Sequence, residues 1–564
     1  MPIRDAEQKV PLMFRAQTQG RCQLAYLQQE QELDIVRWTD EWVTHAETYP
    51  DRSTTHSQGG IQSQDCTIAW RLLTNSGLDD RVILPVFGVQ GIPYFPGSSM
   101  KGLFRRACTP AQADRYCGKP LPGNDWQPGI LRFHGSYPID SSWTEGLVDI
   151  VHPQQNWQVK GAKEGGAFPL ISLYKPTLRF GISSSEILDE AEWAEIWEIW
   201  QKALARGIGS RVSAGYGQVE TSKPKVLCIG KLKGQGQAPK LLTEESEFRP
   251  NMIRAAVRGH ALRIFGGLTS AENADRLVEQ LFGGIQNKNA TIGLLGLKFV
   301  DSKLDLGEFG QGNFAQPCYQ VEGELTWYLA RPLDHPEYEA ALKRLIESLT
   351  RFALVFGGFG KSWRRADHRL FFENYYEDSH KALIGCHWQW LGSASLSRHA
   401  RKVRKAQHIA PFVEEVRKIA AEWMQLQGIQ LQGYAQTWRE AWHPSKVQIW
   451  GRTADGQDDS EAIYWFHGPY RQKQRGLYDE GSIYKSPLVG KIGQVGRIWH
   501  RMYPLVVLKP NPKKPDRKIA KLTPQFLELI TLFPDDESEV CDDFLDFLAT
   551  NPADFQLLWG DSNL

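Results

Sequence analysis

Two tandem α+β units are what this sequence predicts. Three observations lead there. A helix rich in serine and basic residues is followed by a glycine-rich loop. The same order recurs about a domain's length later. Strand-like and helix-like stretches surround both copies. At 564 residues the chain exceeds one ordinary core, and its 41% hydrophobic content is enough to bury more than one.

The most informative segment is GIPYFPGSSMKGLFRR, residues 91–106. It reads as a glycine-punctuated turn opening a helix over 96–106. Ser98 and Ser99 are placed to cap it. Gly97 and Gly102 allow another backbone to come close. Lys101 and Arg105 stand four apart on one face, with Arg106 beside them. A helix start offers unpaired N–H groups and a positive dipole end, which suits phosphate.

Upstream, Val10–Phe14 and Cys22–Leu27 read as strands and Gln28–His45 as a helix. Residues 51–64 are polar and turn-rich. Thr67–Leu73 alternates like a strand and runs into an acidic turn ending in Asp79 and Asp80. Ser172–Ile182 reads as strand. Glu190–Leu204 reads as an amphipathic helix whose Trp193, Trp197 and Trp200 pack a core. The loop GIGSRVSAGYGQV, residues 207–219, carries Arg211. A linker is expected at 223–247, where KLKGQGQ is rich in Lys and Gly.

The second copy opens with RPNMIRAAVRG, residues 249–259, in which Arg254 and Arg258 keep the four-residue spacing. Its glycine loop is GGFGKSWRR, residues 357–365, with Lys361 and Arg364. Residues 391–479 depart from the pattern and read as an insertion, with a basic run from Arg398 to Lys405 and a helix from Pro411 to Leu426. Tyr503–Leu508 reads as strand, and 535–546 as an acidic tail that contacts protein rather than RNA.

Composition limits the functional classes. Lys+Arg 66 against Asp+Glu 65 leaves no bulk charge to hold nucleic acid, so any such site is a local basic face. Eight scattered cysteines without a Cys-x-x-Cys pair argue against zinc and for reduced, cytoplasmic thiols. No signal-like segment and no run of roughly 20 apolar residues occurs, so no membrane partner is expected. Gly-x-Ser-x-Gly, His-Glu-x-x-His, Walker and Gly-Gly-Asp-Asp motifs are absent.

Residues 96–105 resemble the PGSSLKGxxR signature of the RAMP superfamily, RNA-binding proteins of CRISPR–Cas effector complexes. Met100 takes the Leu place and Arg105 the final Arg. Residues 207–219 resemble the glycine-rich loop that closes a RAMP domain. Leu147–Pro153 with Phe168–Leu170 resembles a further segment of the branch holding the smaller terminal backbone subunits of type III effectors. Residues 249–259 with Leu281–Gly284 resemble the matching part of another type III branch.

The resemblance implies two ferredoxin-like (RRM-like) βαββαβ domains, at 1–222 and 248–564. It implies a backbone subunit holding guide RNA through phosphates and 2′-hydroxyls at two adjacent positions. The implied RNA contacts are Ser98, Ser99, Lys101, Arg105, Arg106, Arg211, Arg254, Arg258, Lys361 and Arg364. The other implied partners are target RNA, further RAMP backbone subunits and the large effector subunit. In members that cut target RNA an aspartate precedes the signature helix. Asp80 is the first choice here and Asp79 the second, with a divalent cation (Mg2+ or Mn2+) and no organic cofactor. Glu244, Glu245 and Glu247 stand where a second aspartate would, so the second domain is expected to bind without cutting. The rival readings are a purely structural scaffold and a stand-alone RAMP endoribonuclease that matures guide RNA.

Overall fold

The computed structural model describes residues 39, 43 and 60–562 except 75–77, 80–81, 88–91, 124, 152–154, 162–167, 240–245, 287–288, 313–314, 373–382, 472–480, 492–493, 513 and 535–537. The expected strands at 10–14 and 22–27, nearly all of the helix at 28–45, Asp80, Glu244 and Glu245 lie outside the described residues. The fold is α+β, built of antiparallel sheets with helices packed on them, apart from parallel bridges between Ile83 and Leu170 and between Ala366 and Cys386. Among the described residues no helix is long and apolar enough to cross a membrane.

The first sheet runs in the order Ile61–Thr67, Thr177–Ser184, Leu131–Pro138. A bridge from Ile68 to Val219 adds a fourth position beside the first strand. The helices Gly97–Ala107 and Glu190–Leu204 belong to its core, through Met100, Phe104, Ile196 and Trp200. Trp200 is fully buried, and Trp193 and Trp197 pack partly buried against the same cluster, as the helical spacing predicts.

The second sheet runs Leu295–Phe309, Gln316–Leu329, Val226–Gln237, Cys386–Trp390. The expected linker at 223–247 thus holds an interior strand. Its glycines misled the sequence reading. They exist because tryptophans lie over them: a Cβ on Gly234 would sit 2.3 Å from the Trp388 ring, and one on Gly230 2.5 Å from Trp390. Glycine inside a strand here marks close approach, not flexibility. The helices Asn251–Gly266 and Glu339–Phe356 complete this unit.

A third sheet follows where an insertion and a tail are expected. Its order is Ile498–Asn511, Lys514–Leu532, Gln448–Ala454, Gln556–Trp559. The helix Ala462–His467 follows its first strand in the chain, and the helix Glu539–Ala549 precedes its last. The acidic tail is this second helix. It buries Cys541, Phe544, Leu545 and Leu548 and turns its carboxylates outward. Among the described residues one succession therefore occurs three times: strand, helix, strand, strand, helix, strand, with the first strand always between the third and the fourth.

Candidate functional site

In the first unit the helix Gly97–Ala107 starts at Pro96, with no side-chain cap. Ser98 and Ser99 are exposed rather than spent on capping their own helix. They line a cavity of about 530 Å³ with Thr74, Phe95, Gly102, Arg106, Gly209 and Ser210. The helix start and the first glycine loop thus face each other across one polar space. The loop is held by backbone bonds: Ser210 N donates to Leu73 O (2.9 Å) and Gly217 N to Arg71 O (2.6 Å). Gly209 has φ +75°, and a Cβ there would lie 2.1 Å from the Leu73 carbonyl oxygen. Arg211 is exposed and left-handed, with φ 55°.

The signature cations separate. Ser98, Gly102 and Arg106 share the cavity stripe. Arg105 turns away: its Nη1 donates to Gly118 O at 2.6 Å and its guanidinium lies 5.5 Å from the Trp126 ring centroid. Lys101 shares that face, close enough to Cys117 to favour its thiolate. Lys101 and Arg105 therefore lie on a different face from the cavity stripe of Ser98, Gly102 and Arg106. Arg106→Ala is expected to weaken RNA binding several-fold and to reduce the salt slope by about one. Arg105→Ala is expected to lower the unfolding midpoint instead. Binding isotherms at several salt concentrations, beside melting curves, check both.

The second signature helix meets the first loop. Arg254 Nη2 donates to the Phe282 carbonyl and reaches Ser213 Oγ at 3.4 Å. Burial, then the like charges of Arg258 and Arg211, pull Arg254 down to about 9. Arg211, Arg254 and Arg258 thus converge on one junction, although Arg254 is engaged by protein and Arg258 lies near Asp275 and Glu279. Beneath it runs a buried ion network. Arg71 Nε and Trp70 Nε1 both donate to Glu247 Oε1 (2.7 and 2.9 Å). Arg249 bridges Glu247 (3.0 Å) and Asp149 (2.6 Å), and Tyr216 Oη donates to Asp149 (2.9 Å). Glu247, which stands in the sequence near where a second aspartate would, is buried in this network and ties the first unit to the second.

In the second glycine loop Lys361 is exposed, but Arg364 is not a free cation. Its guanidinium is buried on Glu440 (2.7 Å) and on Gln158 Oε1 (3.2 Å). Arg263 (2.6 Å) and Arg439 (2.8 Å) hold the same carboxylate. Burial alone would raise Glu440, yet Arg364, Arg263 and Arg439 hold it down to about 2. Gln158 comes from the first unit, so this clamp joins distant parts of the chain. Only its chemistry could have signalled it: one Arg439–Glu440 pair between tryptophans, with Arg263 and Arg364 far away in the sequence.

In the third unit the corresponding helix start is filled from within the protein. Its short helix Ala462–His467 already has an anion at its start: Glu528 accepts from Ala462 N (3.0 Å), Glu461 N (3.2 Å) and Ser460 Oγ (2.6 Å). Arg452 (2.7 Å) and His500 (3.1 Å) complete the shell. Burial opposes the charge, but these partners hold Glu528 down to about 2. Its last loop, Thr550–Phe555, contains no glycine.

Asp79 ends the strand Leu78–Asp79, which pairs with Val82–Ile83 in a small sheet with Phe168–Ile171 and Val148–Val151. Asp80 lies outside the described residues. Among the described residues no group of three or more His, Cys, Asp or Glu side chains is placed to hold a metal.

No family model matches the chain, and no curated protein matches it. Solved structures do. A chain of a type IV-B CRISPR complex is 16% identical, over 28% of this chain and 88% of that one, with a TM-score of 0.21. The crystal structure of Cmr6 from Pyrococcus furiosus is 14% identical, over 29% of this chain and 98% of its own, with a TM-score of 0.18. A chain of the type III-B Cmr-beta complex bound to cognate target RNA is 10% identical, over 56% of this chain and 97% of its own, with a TM-score of 0.29.

Proposed function

We propose that the chain is an RNA-binding backbone subunit of a type III CRISPR effector, made of three ferredoxin-like units. The strand order with the first strand between the third and fourth supports the fold reading in each unit. One observation carries the functional reading: Ser98, Ser99 and Arg106 face Gly209 and Ser210 across one polar cavity. Backbone N–H groups, hydroxyls and a guanidinium converge there, the donor set that grips a phosphate–sugar backbone without reading bases.

The first two units occupy two adjacent positions along the guide RNA. The Arg211, Arg254 and Arg258 cluster lies where the strand passes between them. The third unit binds no RNA through its helix start, because Glu528 fills it. It serves as a protein-docking face toward the other subunits.

The first unit also cuts paired target RNA. The substrate's 2′-oxygen attacks its own phosphorus in line, the P–O5′ bond breaks, and the departing O5′ takes a proton from water, leaving a 2′,3′-cyclic phosphate and a 5′-hydroxyl. Asp80, with Asp79 next in rank, takes the 2′-hydroxyl proton. Pairing with the guide, which the cavity's donors hold, keeps the target phosphodiester in place. Adjacent carboxylates are hard oxygen donors, so Asp79 and Asp80 would also hold a divalent cation, whose chemistry is to offset charge on the phosphate.

The test is target cleavage by the assembled complex, with Asp80→Ala and Asp79→Ala beside the unaltered chain. Asp80→Ala is expected to remove one specific cut by at least about a hundredfold with guide occupancy unchanged. Persistence of every cut in both variants makes the chain a scaffold.

A further inference from the structure

A cavity of about 730 Å³ lies where the second glycine loop faces the third unit. It is independent of the first unit's phosphate-binding face. It is lined by Lys361, Ser362, Arg365 and His368 from the second loop region and by Phe466, Tyr484 and Lys485 from the third unit. Its size falls in the range that holds a small organic ligand.

Its charge is one-sided. Among the described residues no carboxylate lines it. Arg364 is neutralised by Glu440, but Arg365 is held only by carbonyls: Nη1 donates to Ile498 O and Nη2 to Val489 O, both at 2.6 Å. Lys361 and Lys485 add two exposed ammonium groups.

Flat surfaces stand beside the cations. Tyr484 is 49% exposed, with the Lys485 ammonium 5.0 Å from its ring centroid. Phe466 lies 4.9 Å under the Arg365 guanidinium. The buried His368 ring, kept neutral by burial and then by neighbouring His467, donates its Nδ1 proton to the Ala366 carbonyl at 3.2 Å. Two lining residues hold backbone conformations that non-glycine residues rarely adopt, Ser362 at φ 53° and Lys485 at φ 58°. Such strain persists where the surroundings fix it and gathers at ligand sites.

We infer that this cavity binds a nucleotide, its base stacked on Tyr484 and its phosphate held by Lys361, Lys485 and Arg365. The same chemistry serves a free nucleoside monophosphate or one unstacked nucleotide of an RNA strand. Stacking on an aromatic face accepts any base, so purines bind best through area rather than through a code.

The experiment uses the full chain without guide RNA. AMP, GMP, CMP, UMP and inorganic phosphate are titrated by calorimetry, each also with Tyr484→Ala and Lys485→Ala. Saturable nucleotide binding at least about tenfold tighter than phosphate is expected. Tyr484→Ala should remove that advantage and leave phosphate unchanged, while Lys485→Ala should weaken both. A ten-residue single-stranded RNA that displaces AMP identifies the strand as the source, and failure to displace it identifies the free nucleotide. The inference is overturned if neither AMP, GMP nor the RNA saturates below about 5 mM, or if binding ignores both substitutions. Either result leaves the first unit's cleavage assay untouched, so the two readings fail separately.

Discussion

Glu440→Ala is expected to unfold the middle of the chain. The carboxylate neutralises Arg263, Arg364 and Arg439, and its own side chain is fully buried. Removing it leaves buried guanidinium groups facing one another, which costs about 3–5 kcal/mol. Loss of soluble protein, or a sharply lowered urea midpoint, checks this. Glu440→Gln should fall between, because it keeps hydrogen bonds and loses charge. The pH dependence has a defined sign. A carboxylate depressed from about 4.5 to about 2 stabilises the fold fully above its ordinary range. That contribution is lost as pH falls from about 4.5 toward 2, so acid unfolding of the unaltered chain should sharpen there and be blunted in Glu440→Gln.

The second large effect is on RNA. Gly209→Ala puts a Cβ against the Leu73 carbonyl, 2.1 Å away, on a backbone with φ +75°. The residue has no space and the wrong conformation, at a cost of about 1–3 kcal/mol before the clash is counted. The loop must lift off the strand that holds it, carrying Ser210 away from Ser98 and Ser99. Guide-RNA affinity should fall at least about tenfold, with far-ultraviolet circular dichroism almost unchanged. Full affinity in this variant would remove the loop from the phosphate site.

How much of this was legible in the sequence depended on what each residue reports. Gly97, Ser98 and Ser99 mark a helix start by local chemistry alone, and that start is where they predict. Which cation faces the cavity was not legible. Arg105 and Arg106 are adjacent in sequence, yet Arg105 is drawn to Gly118 and Trp126, contacts no local pattern announces. The strand Val226–Gln237 hid as a linker because its glycines answer tryptophans about 150 residues away, as in the pairing of Gly234 with Trp388. The third unit hid behind its charge. Glu539, Asp542, Asp543 and Asp546 read as a tail, while Phe544, Leu545 and Leu548 between them carried the helical spacing that buries. Asp149 and Glu528 sit in apolar strands, and a lone acid in such a run is the signal for a buried ion network.

The clamp on Glu440 also sets the order in which the chain can finish folding. Gln158 and Arg364 lie 206 residues apart, and Arg263 stands 177 residues before the acid it needs. At about 5–20 residues per second, that last stretch takes on the order of ten seconds or more to synthesise. Throughout that interval the nascent chain carries Arg263, joined by Arg364 for the last 76 residues, with no Glu440 to receive them. The second unit therefore cannot close early, and completes its core only after the ribosome has passed residue 440.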